Sequence, residues 1–248
     1  MRILMINPNT SQEITDLVVS SARKVASPGT EIIGATGRFG PRYIVSRAGA
    51  AIAGHAALDA YAEHGNGADV IALSCFGDPG LAGLRELATQ PVIGMAEAAC
   101  QEAARGGRRF AIVTGGERWG AMLDEFVAAL GLSSQLAIVK TVATSGGDIA
   151  REPDRALALL ADAAQSCVDT NGADVVILGG AGLAGIPERI QDRVNRPLID
   201  SVTSVVRAAE QLGHDRPAKP TSGSYAATPT VPTIGLSTTL SQKMEGKG

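Results

Sequence analysis

Aromatic side chains are scarce in this 248-residue chain, at 3% of positions, and histidine and cysteine number only three each. An odd cysteine count without a CxxC spacing excludes a disulfide framework and suits a reducing compartment, so a cytoplasmic location is expected. His55, His64 and His214 make no ligand cluster with Cys75, Cys100 and Cys167, so neither a metal nor a cofactor is expected. No run approaches the roughly eighteen apolar residues that a membrane helix needs. The opening MRILMINPNTS reads as a strand and a turn rather than a secretory leader. A net charge of −3 offers no basic stripe for nucleic acid and no polybasic membrane anchor.

What the chain has is alanine, 30 glycines and short apolar runs separated by helical segments. The runs are Arg2 to Asn7, Val70 to Leu73, Pro91 to Gly94, Phe110 to Val113, Val175 to Leu178 and Pro197 to Ile199. Continuous apolar strands between helices are what a parallel sheet buried on both faces requires. A helical period runs from Ser11 to Val25, with Thr10 and Glu13 spaced as a capping box. Cys100 and Cys167 fall inside alanine-rich helical runs, and His55 and His64 flank a surface helix over 56–63.

The order of these runs repeats. Ala68-Asp69-Val70-Ile71-Ala72-Leu73-Ser74-Cys75 returns 105 positions later as Ala173-Asp174-Val175-Val176-Ile177-Leu178-Gly179-Gly180. Each copy follows a basic-apolar strand, starting at Arg2 and Arg109, and precedes a Pro-apolar-Ile strand at Pro91 and Pro197. The expected fold is therefore α/β, with two pseudo-symmetric parallel-sheet lobes and an active site in the cleft between them. The first lobe takes 1–95 with a returning helix over 201–212, and the second takes 96–200. Residues 213–248 are expected as an extended or mobile tail, because Arg216 to Thr239 is rich in Pro, Ser and Thr. Ligands of open parallel sheets bind beyond the carboxyl ends of strands. That rule nominates Asn7, Cys75, Thr114 and Gly180 as walls of the cleft.

Cys75 is followed by Asp78, a helix-capping residue type, and by Pro79, which suits a first helical turn. A thiol facing a helix start has its thiolate favoured and can act as base or nucleophile. The alternative is a buried structural cysteine, since free Cys is among the most buried residue types. The loop Gly179 to Gly185 lacks the lysine of a phosphate-binding loop, so nucleotide binding is not expected. Its backbone N–H groups can still hold a carboxylate or imide oxygen.

Asn7-Pro8-Asn9-Thr10-Ser11, Gly40-Pro41 and Ser74-Cys75-Phe76-Gly77-Asp78-Pro79-Gly80-Leu81 together resemble the hydantoin and allantoin racemases of the aspartate/glutamate/hydantoin racemase superfamily. Pro91 to Ala98, Arg109 to Thr114 with Trp119, and Leu178 to Gly185 extend the match, which runs to about residue 212. The resemblance implies cofactor-independent isomerase or racemase chemistry at the α-carbon of a small carbonyl compound, hydantoin-like or amino-acid-like. It implies two cysteines acting from opposite faces. Cys75 matches the first, as acid/base, and Gly180 stands where the second belongs. Substrate contacts are then expected from Asn7, Pro41, Ser74, Phe76, Gly77, Thr114, Gly180, Ala181 and Gly182. The partner is a small molecule with carbonyl or carboxylate groups, and a homo-oligomer is expected. With one cysteine missing, three other readings stand: a one-cysteine decarboxylase of a malonate-type acid, a nucleophilic Cys75, or a non-catalytic binding protein. Val45 also departs from the acidic residue usual there.

Overall fold

The continuous apolar runs form the buried strands of two parallel sheets in a computed structural model that describes residues 1–143 and 152–246. In the first half the elements are β1 (Arg2–Asn7), α1 (Gln12–Val25), β2 (Glu31–Thr36), α2 (Arg47–His64), β3 (Val70–Leu73), α3 (Leu81–Leu87), β4 (Val92–Gly94) and α4 (Met95–Ala104). In the second they are β5 (Phe110–Gly115), α5 (Trp119–Ala129), β6 (Leu136–Val142), α6 (Pro153–Asn171), β7 (Val175–Gly179), α7 (Ile186–Ile190), β8 (Leu198–Asp200) and α8 (Ser201–Asp215). The strand orders are β2-β1-β3-β4 and β6-β5-β7-β8, the same path taken twice.

The repeat reaches individual hydrogen bonds. The Asp69 carboxylate accepts from the Arg2 backbone N–H at 2.7 Å, and the Asp69 N–H donates to the Arg2 carbonyl at 2.8 Å. Asp174 and Arg109 make the same pair at 2.9 and 2.8 Å. The register follows, Ile3 opposite Val70 and Phe110 opposite Val175.

Strands β2 and β6 are not among the runs named from sequence. Both are edge strands: Glu31 and Gly34 interrupt β2, and β6 is half-buried along nearly its whole length. The Thr10–Glu13 capping box does not form. Helix α1 is capped at Ser11 with no side-chain bond to the helix, and the Ser11 hydroxyl donates to Glu13 instead. The surface helix expected over 56–63 is the end of the longer α2, which buries Ala57, Ala60 and Tyr61 against the first sheet.

Helices α2 and α3 cover one face of the first sheet, and α6 and α7 cover the outer face of the second. Between the sheets lie α1, α4, α8 and the buried side of α5. The largest apolar cluster joins Ile3, Met5 and Val70 to Phe110, Ile112 and Val175 through these helices. Each fully buried side chain of this size contributes about 1.5–3 kcal/mol. The helix that follows each sheet's last strand, α4 or α8, thus packs in this shared layer. Glu210 on α8 fastens it to the α1–β2 turn, accepting from the Ser27 N–H, the Ser27 hydroxyl and the Thr30 hydroxyl at 2.7–2.9 Å.

Residues 216–237 hold no helix or strand, and α9 (Thr238–Met244) follows. The segment lies along the first half. Lys219 Nζ donates to the carbonyls of Arg85, Glu86 and Ala88 at the end of α3, and the Ser237 hydroxyl donates to buried Asp59 at 2.5 Å. Leu240 is buried.

Candidate active site

Strand β3 delivers Cys75 to the junction of the two halves. The thiol sits among Ile44, Ala50, Ala53 and Trp119 and is 8% exposed. Ile44 comes from the β2–α2 loop and Trp119 from the start of α5, and the two are joined by a hydrogen bond from Trp119 Nε1 to the Ile44 carbonyl at 3.1 Å. Arg47 and Glu125 bridge the same two elements with bonds of 2.6 and 2.7 Å. Apolar walls from both halves therefore surround the thiol.

Their effect reverses the electrostatics expected from sequence. Burial, with the nearby Asp78 charge second, pushes the Cys75 thiol up to about 12, so it rests protonated. The expectation of a favoured thiolate is overturned because desolvation penalises the charged form. Asp78 does not cap α3, which starts after Gly80 at a φ of 85° and has no side-chain cap. Instead the Asp78 carboxylate accepts from the N–H groups of Ala96 at 3.0 Å and Glu97 at 2.8 Å, capping α4. Burial raises Asp78 to about 7 against those two bonds. Glu97 in turn pairs with Arg85.

The two strand-end loops meet directly. A side chain on Gly179 would run into the Phe76 ring, and a Cβ on Gly77 would lie 2.6 Å from Trp119. Glycine at these positions lets the halves close on each other. Gly180 differs: its φ of 146° and ψ of 136° are glycine-favouring, yet an added Cβ would meet nothing nearer than Leu183 at 3.7 Å. Ala181 to Leu183 form a short 3₁₀ turn. Among the described residues, no acceptor meets the N–H groups of Phe76 and Gly77, or of their repeat counterparts Ala181 and Gly182. Thr114, in register with Gly179, is buried.

Other nominated residues serve the frame. The Asn7 side-chain amide donates to Asn9, Thr15 and the Ser11 carbonyl, holding the β1–α1 turn. The Pro41 carbonyl accepts from Thr10 N–H at 3.2 Å. Among the described residues, the Ser74 hydroxyl reaches the Ala72 carbonyl at 3.4 Å. Sequence reasoning missed Ile44 and Ala53, which carry no chemical signal, and the reach of Asp78 to α4. Cys100 and Cys167 lie in helix interiors and are fully buried.

A doubled parallel α/β fold with a cysteine at the inner end of a repeated strand defines a class, and the comparisons name it. The chain belongs to the Asp/Glu/hydantoin racemase family, whose profile matches residues 3–209. It is similar to the hydantoin racemase of Paenarthrobacter aurescens, 35% identical over 214 residues, which cover 86% of this chain and 91% of the relative. Among solved structures it is similar to allantoin racemase from Pseudomonas fluorescens, with a TM-score of 0.91 at 31% identity over 95% of this chain and 100% of the other. Allantoin racemase from Klebsiella pneumoniae gives 0.89 at 30% identity, over 95% and 96%. Arylmalonate decarboxylase shares the fold, with a TM-score of 0.60 at 15% identity over 86% and 92%. The chain is thus an isomerase-type enzyme of this racemase family.

Proposed function

We propose that the enzyme moves a proton on the α-carbon of a neutral cyclic carbonyl compound of the hydantoin type, with Cys75 as its acid/base group. What supports this reading is a buried Cys75 walled by Ile44, Ala53 and Trp119, on a strand-end loop whose Phe76 and Gly77 N–H groups meet no acceptor among the described residues. The thiol first gives its proton to solvent; the thiolate then takes the α-proton, an S–H bond forms as the C–H bond breaks, the C–H pair becomes the C=C bond and the carbonyl π pair moves onto oxygen. The N–H groups of Phe76, Gly77, Ala181 and Gly182, with the Thr114 hydroxyl, stabilise that enolate. Fixed donors of this kind supply much of the catalysis in such reactions. The thiol then returns the proton.

The substrate follows from the walls. Ile44, Ala50, Ala53 and Trp119 bring no cation to the thiol, and Asp78 brings a negative charge. A neutral imide ring suits this pocket better than a dicarboxylic acid or an amino-acid zwitterion, which disfavours the malonate reading. Position 180 presents no proton donor to the opposite face, so exchange on one face outpaces racemisation. The proposal extends to action without a cofactor, in the cytoplasm and as a homo-oligomer, which light scattering of the purified protein checks.

The test is α-proton exchange in deuterated water on both enantiomers of 5-substituted hydantoins, read together with optical rotation. One enantiomer should incorporate deuterium with retention, and Cys75→Ser should lower that rate by about 10²–10⁴-fold. Exchange undiminished in Cys75→Ser removes the cysteine mechanism.

A further inference from the structure

Each half of the fold must cap the helix that follows its last strand, and the two halves do so from different places. In the second half the cap is Asp200, at the strand end itself, whose carboxylate accepts from Val202 and Thr203 N–H groups at 2.8 and 3.1 Å. In the first half the equivalent strand end is Gly94, and the acid arrives from the thiol loop as Asp78. That arrangement is the costlier one. Asp78 is a non-glycine residue at a φ of 47°, and its carboxylate is buried. The half that avoids these costs is the half whose matching strand end, Gly180, carries no cysteine.

The structure assigns to Asp78 the part of a positioning residue for Cys75, tying the thiol loop to the first turn of α4 and placing a carboxyl group in the thiol's own turn. The tie is short: the Asp78 N–H donates to the Cys75 carbonyl at 3.0 Å, closing the turn that holds the thiol. Past Asp78, Gly80 lies against the Gly54 backbone of α2, so the loop is gripped on both sides. The groups facing Asp78 are Cys75 on its own loop, Arg85 on α3, and Glu97 and Cys100 on α4. Arg85 is paired with Glu97 and also favours the charged form of Asp78, while the Asp78 charge disfavours ionisation of the thiol. As Asp78 ionises near pH 7 the thiol becomes harder to ionise, so alkylation should climb less than tenfold per pH unit through that window.

This inference rests on the reading of Cys75 as acid/base, but its first readout needs no substrate. Iodoacetamide alkylation of Cys75, followed by mass spectrometry from about pH 6 to 10, is compared in the native protein, in Asp78→Asn and in Asp78→Gly/Gly94→Asp. The double variant moves the cap to the strand end, as in the second half. Asp78→Asn is expected to alkylate several-fold faster at each pH above 7 and to lose the inflection near 7, whereas the double variant keeps a carboxylate against the same N–H groups and tests the tie between the thiol loop and α4. Deuterium exchange in the double variant is expected to fall in kcat by about tenfold or more with little change in KM. Native kcat in the double variant, together with an Asp78→Asn alkylation profile identical to native, reduces Asp78 to a helix cap and overturns the inference. If the double variant does not fold, an Asp78→Asn profile identical to native overturns it. Absence of exchange in the native protein, with the alkylation shift present, faults the proposed reaction and leaves the role of Asp78 standing.

Discussion

The Asp78 carboxylate fills the space that a side chain on Gly94 would take, and from there it holds the N–H groups of Ala96 and Glu97. Gly94→Ala should therefore destabilise the protein by about 1–3 kcal/mol, the range for an overpacked core. Asp78→Gly should cost about 0.5–2 kcal/mol through the lost cap. The Asp78→Gly/Gly94→Asp double variant should lose less than the sum of the two, because each change removes the other's cause. Urea unfolding of the four proteins measures this coupling.

Asp78 also sets a direction for stability against pH. Its folded value near 7 lies above the ordinary 3.8, so the folded state holds a proton that the unfolded chain has released. Stability from this group is complete below 3.8 and is lost as pH rises through about 7. The Tm should be higher at pH 6 than at pH 8, and Asp78→Asn should flatten that difference. A native Tm indifferent to pH across this range counts against the buried carboxylate.

Thiol labelling is expected to be slow throughout. Cys100 and Cys167 are fully buried and shifted up by burial, Cys100 additionally by Asp78 and Glu97. Cys75, slightly exposed, should label first of the three. Its rate near pH 8 should still be about 10³-fold below that of a free cysteine, in line with its raised value. Equal labelling of all three at that pH would point to unfolding as the route of access.

Gly180→Cys should accelerate hydantoin racemisation by placing a thiol opposite Cys75, with about 10²–10⁴-fold as the ceiling for a well-placed group. The backbone limits the gain. A φ of 146° is one that side chains other than glycine rarely adopt, and relieving it costs about 1–3 kcal/mol. The variant should gain optical activity loss and lose Tm together. Polarimetry and thermal unfolding on the same sample check the pair, and unchanged racemisation in a folded Gly180→Cys protein argues against a vacated catalytic position.

The sequence carried the fold well where burial leaves a continuous trace. Strands β1, β3, β4, β5, β7 and β8 lie in apolar runs, and the Asp69 and Asp174 repeats gave the pseudo-symmetry. The edge strands were missed because residues such as Glu31, Gly34 and half-exposed Lys140 answer to solvent on one side. In the site, the strand-end position of Cys75 was legible, but its protonation state was not. That state is made by Ile44 and Trp119, brought in from two distant segments, and by an acid whose local sequence suggested a cap on the wrong helix. Gly179 was readable as a loop glycine, not as the seat of the Phe76 ring.

The apolar cluster between the sheets has a consequence for how the enzyme comes apart. Each sheet lends one face to the same interior, and α4 and α8 belong to both neighbours at once. Neither half can separate without exposing Phe110 and Ile112 on one side and Ile3 and Met5 on the other. The duplicated halves have become one cooperative melting unit, so an isolated half, though it holds four strands of its own, would carry a raw oily face into water and seek a second copy of itself.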